Sequence, residues 1–285
     1  MNFLHYQVYI KVVETKSFTK AADKLGYTQS AVSQMINSLE KDLGVKLLNR
    51  SKTGITTTKI GERVLKHIRE IIQIQNVMRQ EAASFNGFDE GTIRVGTIPS
   101  LSKLMPPIIR YFKQHFPGIE LIIFEGGNDS VHEWIQNGEI DVGFVSRQEG
   151  DIQYIPLLKD ELLLFSPKTL FQNHPAINIK SIEEYCYVIH KGDSDQIIQS
   201  IFEEIGINPN IRYEIQDVST ILTMVQEGFG LCILPKLALP SQIPNVNVHS
   251  LTPSLYRELG IAVKSMDHLS PITAEIILVA KDLVQ

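Results

Sequence analysis

Apolar residues recur at helical spacing from the start of the chain, at Leu4, Val8, Val12 and Val13. Ser17 is placed to cap a short helix from Phe18 to Leu25, which Gly26 ends as a left-handed residue. Thr28 caps a further helix from Gln29 to about Leu43, and Gly44 stops it. Two helices joined by the glycine-containing turn Gly26-Tyr27-Thr28 have the spacing of a helix-turn-helix. Val45–Leu48 and Ile55–Thr57 follow as a small hairpin, or wing, with its basic residues at the tip.

From Thr58 to about Phe85 only Gly61, in the first turn, interrupts a helix that would be about 40 Å long. Its apolar seam steps alternately by four and three through Val64, Ile68, Ile71, Gln75, Met78, Ala82 and Phe85. That is a coiled-coil repeat with one polar member, and it predicts pairing with a second copy; packing on its own domain is the alternative. The stretch from Asn86 to Gly91 has the composition of a hinge. Beyond it, strands are expected at Thr92–Gly96, Ile119–Glu125, Val142–Val145, Leu162–Phe165, Tyr187–Ile189, Arg212–Ile215, Gly230–Leu234 and Leu259–Val263. Helices are expected near Pro106–His115, Ser130–Asn137, Gln196–Ile205, Ser219–Gly228 and Ile272–Val284. The alternation predicts an α/β domain with mainly parallel sheets.

Around the helix beginning at Gln29, residues Gln29, Ser30, Ser33, Gln34 and Asn37 fall within an arc of about 140°. Val32, Met35, Ile36, Leu39 and Leu43 fall opposite. The polar face holds amides and hydroxyls with no carboxylate, and Glu40 and Asp42 appear only beyond it. Amides can bond adenine in bidentate fashion and hydroxyls can bond several base edges, so this face suits double-stranded DNA. Arg50 and Lys52 of the wing would meet phosphates or a minor groove, with Lys20, Lys24, Lys41 and Lys46 as further backbone contacts.

The formal net charge of −5 is unevenly spread. Residues 1–90 hold 13 Lys+Arg against 9 Asp+Glu, whereas residues 91–285 hold 14 against 23. A basic end on an acidic chain fits a nucleic-acid-binding module. No signal peptide or membrane span is evident, and the two cysteines, Cys186 and Cys232, suit a reducing, cytoplasmic setting. The familiar catalytic motifs are missing: His132-Glu133 lacks a second histidine at position 136, which is Gln, and Gly228-x-Gly230 has Ile at 233. No catalytic residue, metal site or cofactor is expected.

The run Phe18-Thr19-x-Ala21-Ala22-x-x-Leu25-x-x-x-Gln29-Ser30-Ala31-Val32-Ser33-x-x-Ile36-x-x-Leu39-Glu40-x-x-Leu43-Gly44-Val45-x-Leu47-x-x-Arg50 closely resembles the DNA-binding region of LysR-type transcriptional regulators. Looser landmarks extend the resemblance over the whole chain: Gly91–Gly96, Phe116-Pro117, Gly138-Glu139-x-Asp141-Val142-Gly143 and Gly228-x-Gly230-x-x-x-Leu234-Pro235. The chain departs from the family at Gln34, where Arg is common, at Thr53, where a second wing arginine is common, and at Leu48, where Phe is frequent.

The resemblance implies a winged helix-turn-helix over residues 1–58, with Ala31 added to the DNA-facing set, and a dimerising linker helix over 59–88. It also implies an effector-binding domain over 89–285, like the periplasmic binding proteins, built of two Rossmann-like subdomains with the ligand between them. The chain would cross near Leu162 and return near His268, giving subdomains of about 91–161 with 268–285 and about 162–267. Homodimers that assemble into homotetramers, RNA polymerase as a further partner, and a nucleoid-associated location would follow. Ligand contacts are expected at Ser100, Leu101 and Ser102, where hydroxyls and free N–H groups at a helix start would favour a small anion. Plain capping by Ser102 is the alternative. Thr97, Val145 and Ser146 would join from strand ends, and His190 and Ser219 from the second subdomain. A competing function is a small-molecule-binding protein or enzyme with an unrelated helical module at its N-terminus.

Overall fold

A computed structural model describes residues 2–51, 54–85, 91–146, 152–191, 195–240, 242–243 and 245–284. The expected hinge, 86–90, and Lys52 of the wing lie outside the described residues.

Three short helices open the chain: α1 (Phe3–Thr15), α2 (Phe18–Leu25) and α3 (Gln29–Leu43). Their ends lie where the capping residues dictate. Ser17 accepts from the N–H of Lys20 and Thr28 from that of Ala31, while Gly26 and Gly44 turn left-handed at φ 71° and 70°. Strands β1 (Leu48–Ser51) and β2 (Gly54–Thr57) form the wing. The first strand starts later than the Val45–Leu48 read from the sequence. The buried Glu40 carboxylate accepts from the N–H groups of Leu47 (2.9 Å) and Leu48 (3.2 Å), so this stretch is spent on a side chain before ladder pairing begins.

Helix α4 (Lys59–Phe85) is as long as expected, but its seam is divided. Leu65 and Ile68 are buried in the core of the N-terminal module, with Val64 packed beside them. Ile71, Ile74 and Met78 are exposed, the last two at 56% and 61%. The Gln75 amide oxygen is buried without a hydrogen bond among the described residues. The first half of the helix therefore packs on its own domain, and among the described residues Ile71 and Met78 carry the exposed part of the seam beyond it.

The remainder is a mixed sheet, not a mainly parallel one. Strands β3 (Gly91–Thr97), β4 (Ile119–Glu125) and β5 (Val142–Ser146) are parallel to one another, with α5 (Met105–His115) and α6 (Asn128–Gln136) packed beside them. The long β6 (Gln153–Pro167) runs antiparallel to its neighbours and passes from the first subdomain into the second. There it pairs with β10 (Cys232–Pro235) and β11 (Val246–Thr252), and β7 (Ala176–Asn178) completes the edge. A parallel pair, β8 (Cys186–His190) and β9 (Asn210–Ile215), lies with α7 (Asp195–Ile205) and α8 (Val218–Gln226) in the second subdomain. Strand β12 (Tyr256–Val263) then pairs with both β5 and the first half of β6, with a bulge at Leu259/Gly260. The return to the first subdomain thus falls by Tyr256, not near His268. Helix α9 (Pro271–Asp282) closes the first core.

Candidate nucleic-acid interface and effector cleft

Helix α3 presents its apolar side to the core and its polar side outward. Val32, Ile36 and Leu39 are fully buried against α1 and α2, which fixes the rotation of the helix. Gln29, Ser30, Gln34 and Asn37 are exposed, and Ala31 and Ser33 are half-buried. The Thr28 and Ser30 hydroxyls share a 3.0 Å hydrogen bond at the helix start. The fold thus brings all six α3 candidates onto or beside one face.

The wing arginine behaves differently from expectation. Arg50 lies within β1, opposite Ile55, not at the hairpin tip. Its guanidinium donates to Asn37 Oδ1 (3.2 Å) and Ser33 Oγ (3.4 Å) and sits 4.5 Å from the centre of the Phe18 ring. The wing is thereby tied to the polar face of α3, so Ser33, Asn37 and Arg50 act as one unit. Lys46, expected at phosphates, is paired with Glu40 at 2.5 Å. Burial would raise the Glu40 carboxyl, but the Lys46 ammonium and the two backbone N–H groups outweigh it and hold the group below the ordinary carboxylate range. Sequence reading places Glu40 merely outside the contact zone. By helical angle it lines up with Gln29 and Ser33, and its burial comes from the turn that brings Lys46, Leu47 and Leu48 back over the end of α3.

At the C-terminal ends of β3 and β5 the cleft candidates gather in register, since Thr97 pairs with Phe144. Most are already engaged. Thr97 donates to the Ile98 carbonyl (3.1 Å), and Ser146 is held by Asn128 through its hydroxyl (2.5 Å) and N–H (2.9 Å). Val145 and Leu101 are buried in the first core, so Leu101 offers a cleft ligand no side chain. Ser102 donates to the Pro99 carbonyl (2.7 Å) and caps nothing, and α5 begins two residues beyond Lys103 without a side-chain cap. The N–H groups of Leu101 and Ser102 are spent on the Ile98 carbonyl (3.0 and 3.1 Å), so the expected free N–H cradle is largely closed. Ser100 is 7% exposed, and its hydroxyl makes no hydrogen bond among the described residues.

In the second subdomain, His190 ends β8 and Ser219 lies exposed in the first turn of α8. Asp217 caps that helix, accepting from the N–H and hydroxyl of Thr220 at 2.7 Å each. Those bonds hold its carboxyl below the ordinary range, with His190 adding a smaller attraction. Two residues outside the sequence-read candidates bear on the site, one from each subdomain. Asp217 is one, although an Asp just before a helix is a readable cap. Lys103 is the other: its ammonium reaches the carbonyls of Leu239 (2.7 Å) and Leu237 (3.5 Å) from across the subdomain boundary. Nothing local marks a partner so distant in the chain. At the same boundary Arg257 donates twice to Asp160 (2.8 and 3.0 Å) in a fully buried pair, and the other Asp160 oxygen accepts from the N–H of Leu237 (3.0 Å). Cys232 is fully buried, which pushes its thiol well above the ordinary range.

A wing-bearing helix-turn-helix, a long connecting helix and an α/β domain of two subdomains joined by β6 and β12 define a DNA-binding regulator with an effector-binding domain. The family comparisons name the class. Residues 3–62 match the bacterial regulatory helix-turn-helix protein, lysR family, and residues 86–284 match the LysR substrate binding domain. The chain belongs to the LysR family of transcriptional regulators, a family of regulators and not of enzymes. It is 32% identical to the HTH-type transcriptional regulator YvbU of Bacillus subtilis (strain 168), over 99% of each chain. It is 30% identical to the probable HTH-type transcriptional regulator LrrA of Synechococcus elongatus, over 92% of this chain and 90% of that one. A full-length OxyR variant from Pseudomonas aeruginosa shares the fold, with a TM-score of 0.80 at 21% identity over 100% of this chain and 96% of that one. Among the described residues no helix is long and apolar enough to cross a membrane.

Proposed function

We propose that this regulator reads its operator with Gln29, Ser30, Ala31, Ser33, Gln34 and Asn37, and that Arg50 acts both on DNA and as the strut that aligns Ser33 and Asn37. A small anionic metabolite is its effector, held between the subdomains with Ser100 as its first contact. It activates or represses promoters as a homodimer or homotetramer joined through the exposed seam residues Ile71 and Met78 of α4, with RNA polymerase as a further partner, in the cytoplasm at the nucleoid. The carrying observation is the carboxylate-free face of α3, exposed and held in rotation by Val32, Ile36 and Leu39. The unspent, nearly buried Ser100 hydroxyl supports the effector assignment.

A salt-titrated binding assay on the protein's own promoter region tests the reading. Affinity should fall steeply as salt rises, because counterions released from phosphates return. No binding at low salt would sink it. Ser100→Ala should blunt the effector response and spare DNA binding; an unchanged response removes Ser100 from the site. Ile71→Lys, on the exposed stripe, should dissociate the oligomer on a sizing column.

A further inference from the structure

Helix α4 is clamped to the effector domain by charge. Arg69 donates to Glu139 (2.7 Å), and Lys264 joins Glu70 to the carbonyl of Gln136. Gly138, left-handed at φ 66°, permits the close approach, since a side chain there would meet Arg69 Cβ at 3.2 Å. Beside this clamp, helix and domain line a part-open pocket of about 280 Å³. That is nearly twice the ~150 Å³ known to hold a benzene ring. Ile74 and Val77 of α4 form one wall, and Ile93, Val263 and Leu269 of the effector domain form the other.

The polar part of the lining is specific. Its charged side chains are Glu70, Lys264 and Asp141, and the first two neutralise each other. Asp141 accepts from the N–H of Arg94 through Oδ2 (2.8 Å), and its Oδ1 takes no hydrogen bond among the described residues. Burial raises the Asp141 carboxyl above its ordinary range, outweighing the Arg94 N–H and guanidinium, so the group gains from a further donor. An anion would meet this carboxylate with repulsion, which separates the cavity from the cleft effector proposed above.

We infer that this cavity is a second small-molecule site, selective for a small apolar amine whose ammonium bonds Asp141 Oδ1 and whose apolar body lies among Ile74, Val77, Ile93 and Leu269. A bound amine touches α4 and the effector domain at once. Its occupancy therefore opposes their separation, by the ordinary linkage of binding to the form that binds.

The test is calorimetric titration of the full-length protein with three probes of similar size: 2-phenylethylamine, 2-phenylethanol and 3-phenylpropionate. The amine should bind saturably at one site per chain. The alcohol should bind at least about tenfold more weakly, the loss of one charge-assisted bond, and the carboxylate should not bind. Asp141→Asn, which retains an acceptor for the Arg94 N–H, should lower affinity for the amine to that for the alcohol. Val77→Trp should abolish binding of both. Ile74→Trp serves if Val77→Trp fails to fold, because Ile74 is already more than half exposed. Ser100→Ala should leave amine binding unchanged, which keeps this site distinct from the cleft. Absence of amine binding, equal binding of the carboxylate, or binding that survives both tryptophans would overturn the inference. So would an Ile74→Trp protein that loses its native oligomer while the wild type takes up no amine, because a second copy would then cover the cavity.

Discussion

The DNA-binding module and the effector domain handle their polar side chains in opposite ways. On α3 the amides and hydroxyls point outward, and where they are engaged, Ser30 by Thr28 and Ser33 and Asn37 by Arg50, the partner lies on the same surface; the capping and buried bonds are made by Ser17, Thr28 and Glu40. At the cleft, Thr97, Ser102 and Ser146 bond their own neighbours, and Asp160 and Arg257 hold the boundary from inside. A reading face can therefore change its partner without changing the fold, whereas most cleft residues serve the fold first.

Substitutions can break or sharpen that contrast. The largest effect is expected for Arg257→Met, which leaves Asp160 charged and uncompensated in the interior. The effector domain should lose about 3–5 kcal/mol in urea unfolding, while low-salt DNA binding survives. Equal loss in both regions would show that they do not unfold separately. Gly61→Ala is the counterpart in the DNA module. A methyl there would lie 2.1 Å from the Leu47 carbonyl oxygen and 2.9 Å from the Tyr9 hydroxyl, which donates to the Gly61 carbonyl. Overpacking of this kind costs about 3 kcal/mol, and the melting of residues 2–68 should report it.

Glu40→Ala comes next, at on the order of 2 kcal/mol, because it orphans two buried N–H groups. It also carries a pH signature. The folded carboxyl lies below its unfolded value, so its stabilisation is complete above the ordinary carboxylate range and fades as pH falls through the lower folded value. Acid should therefore narrow the gap between wild type and variant; a gap constant down to acid pH would show that the charge is immaterial. Gln29→Ala and Ser33→Ala should weaken specific binding by about 1–2 kcal/mol and random-duplex binding less, as fluorescence anisotropy would show. Smallest is the stability change for Ser100→Ala, within about 0.5 kcal/mol. A larger drop in melting would place Ser100 with the other structural hydroxyls of the cleft.

Legibility in the sequence followed the range of the interactions. Helices α2 and α3 match their expected limits because Ser17, Gly26, Thr28 and Gly44 act within three or four residues. The outward face of α3 was readable for the same reason. Strand β6 was visible only at Leu162–Phe165, since its first half, with Gln153, Lys159 and Asp160, carries polar residues set by strands far along the chain. Strand β11 escaped notice because its inward and outward residues include Asn247, His249 and Ser250, and the buried His249 is satisfied by Ser166 (2.9 Å) and the His174 carbonyl (2.6 Å). The direction of β12, and so the early return to the first subdomain, depends on pairing with β5 and β6 that no local pattern encodes. Lys103 and the cavity beneath α4 belong to this distant kind as well.

The 15-residue β6 has a mechanical consequence. At about 3.3 Å per residue it is a beam roughly 50 Å long, embedded in both subdomains at once. Such a beam joins the two subdomains through one continuous strand, and its ladder with β12 shifts register at Leu259/Gly260, beside Pro156. A displacement of either subdomain therefore strains a strand that the other also holds. Whatever rests on the first subdomain, including α4 through its Arg69–Glu139 and Glu70–Lys264 pairs, is thereby linked to the second subdomain by backbone and not by side-chain contact alone.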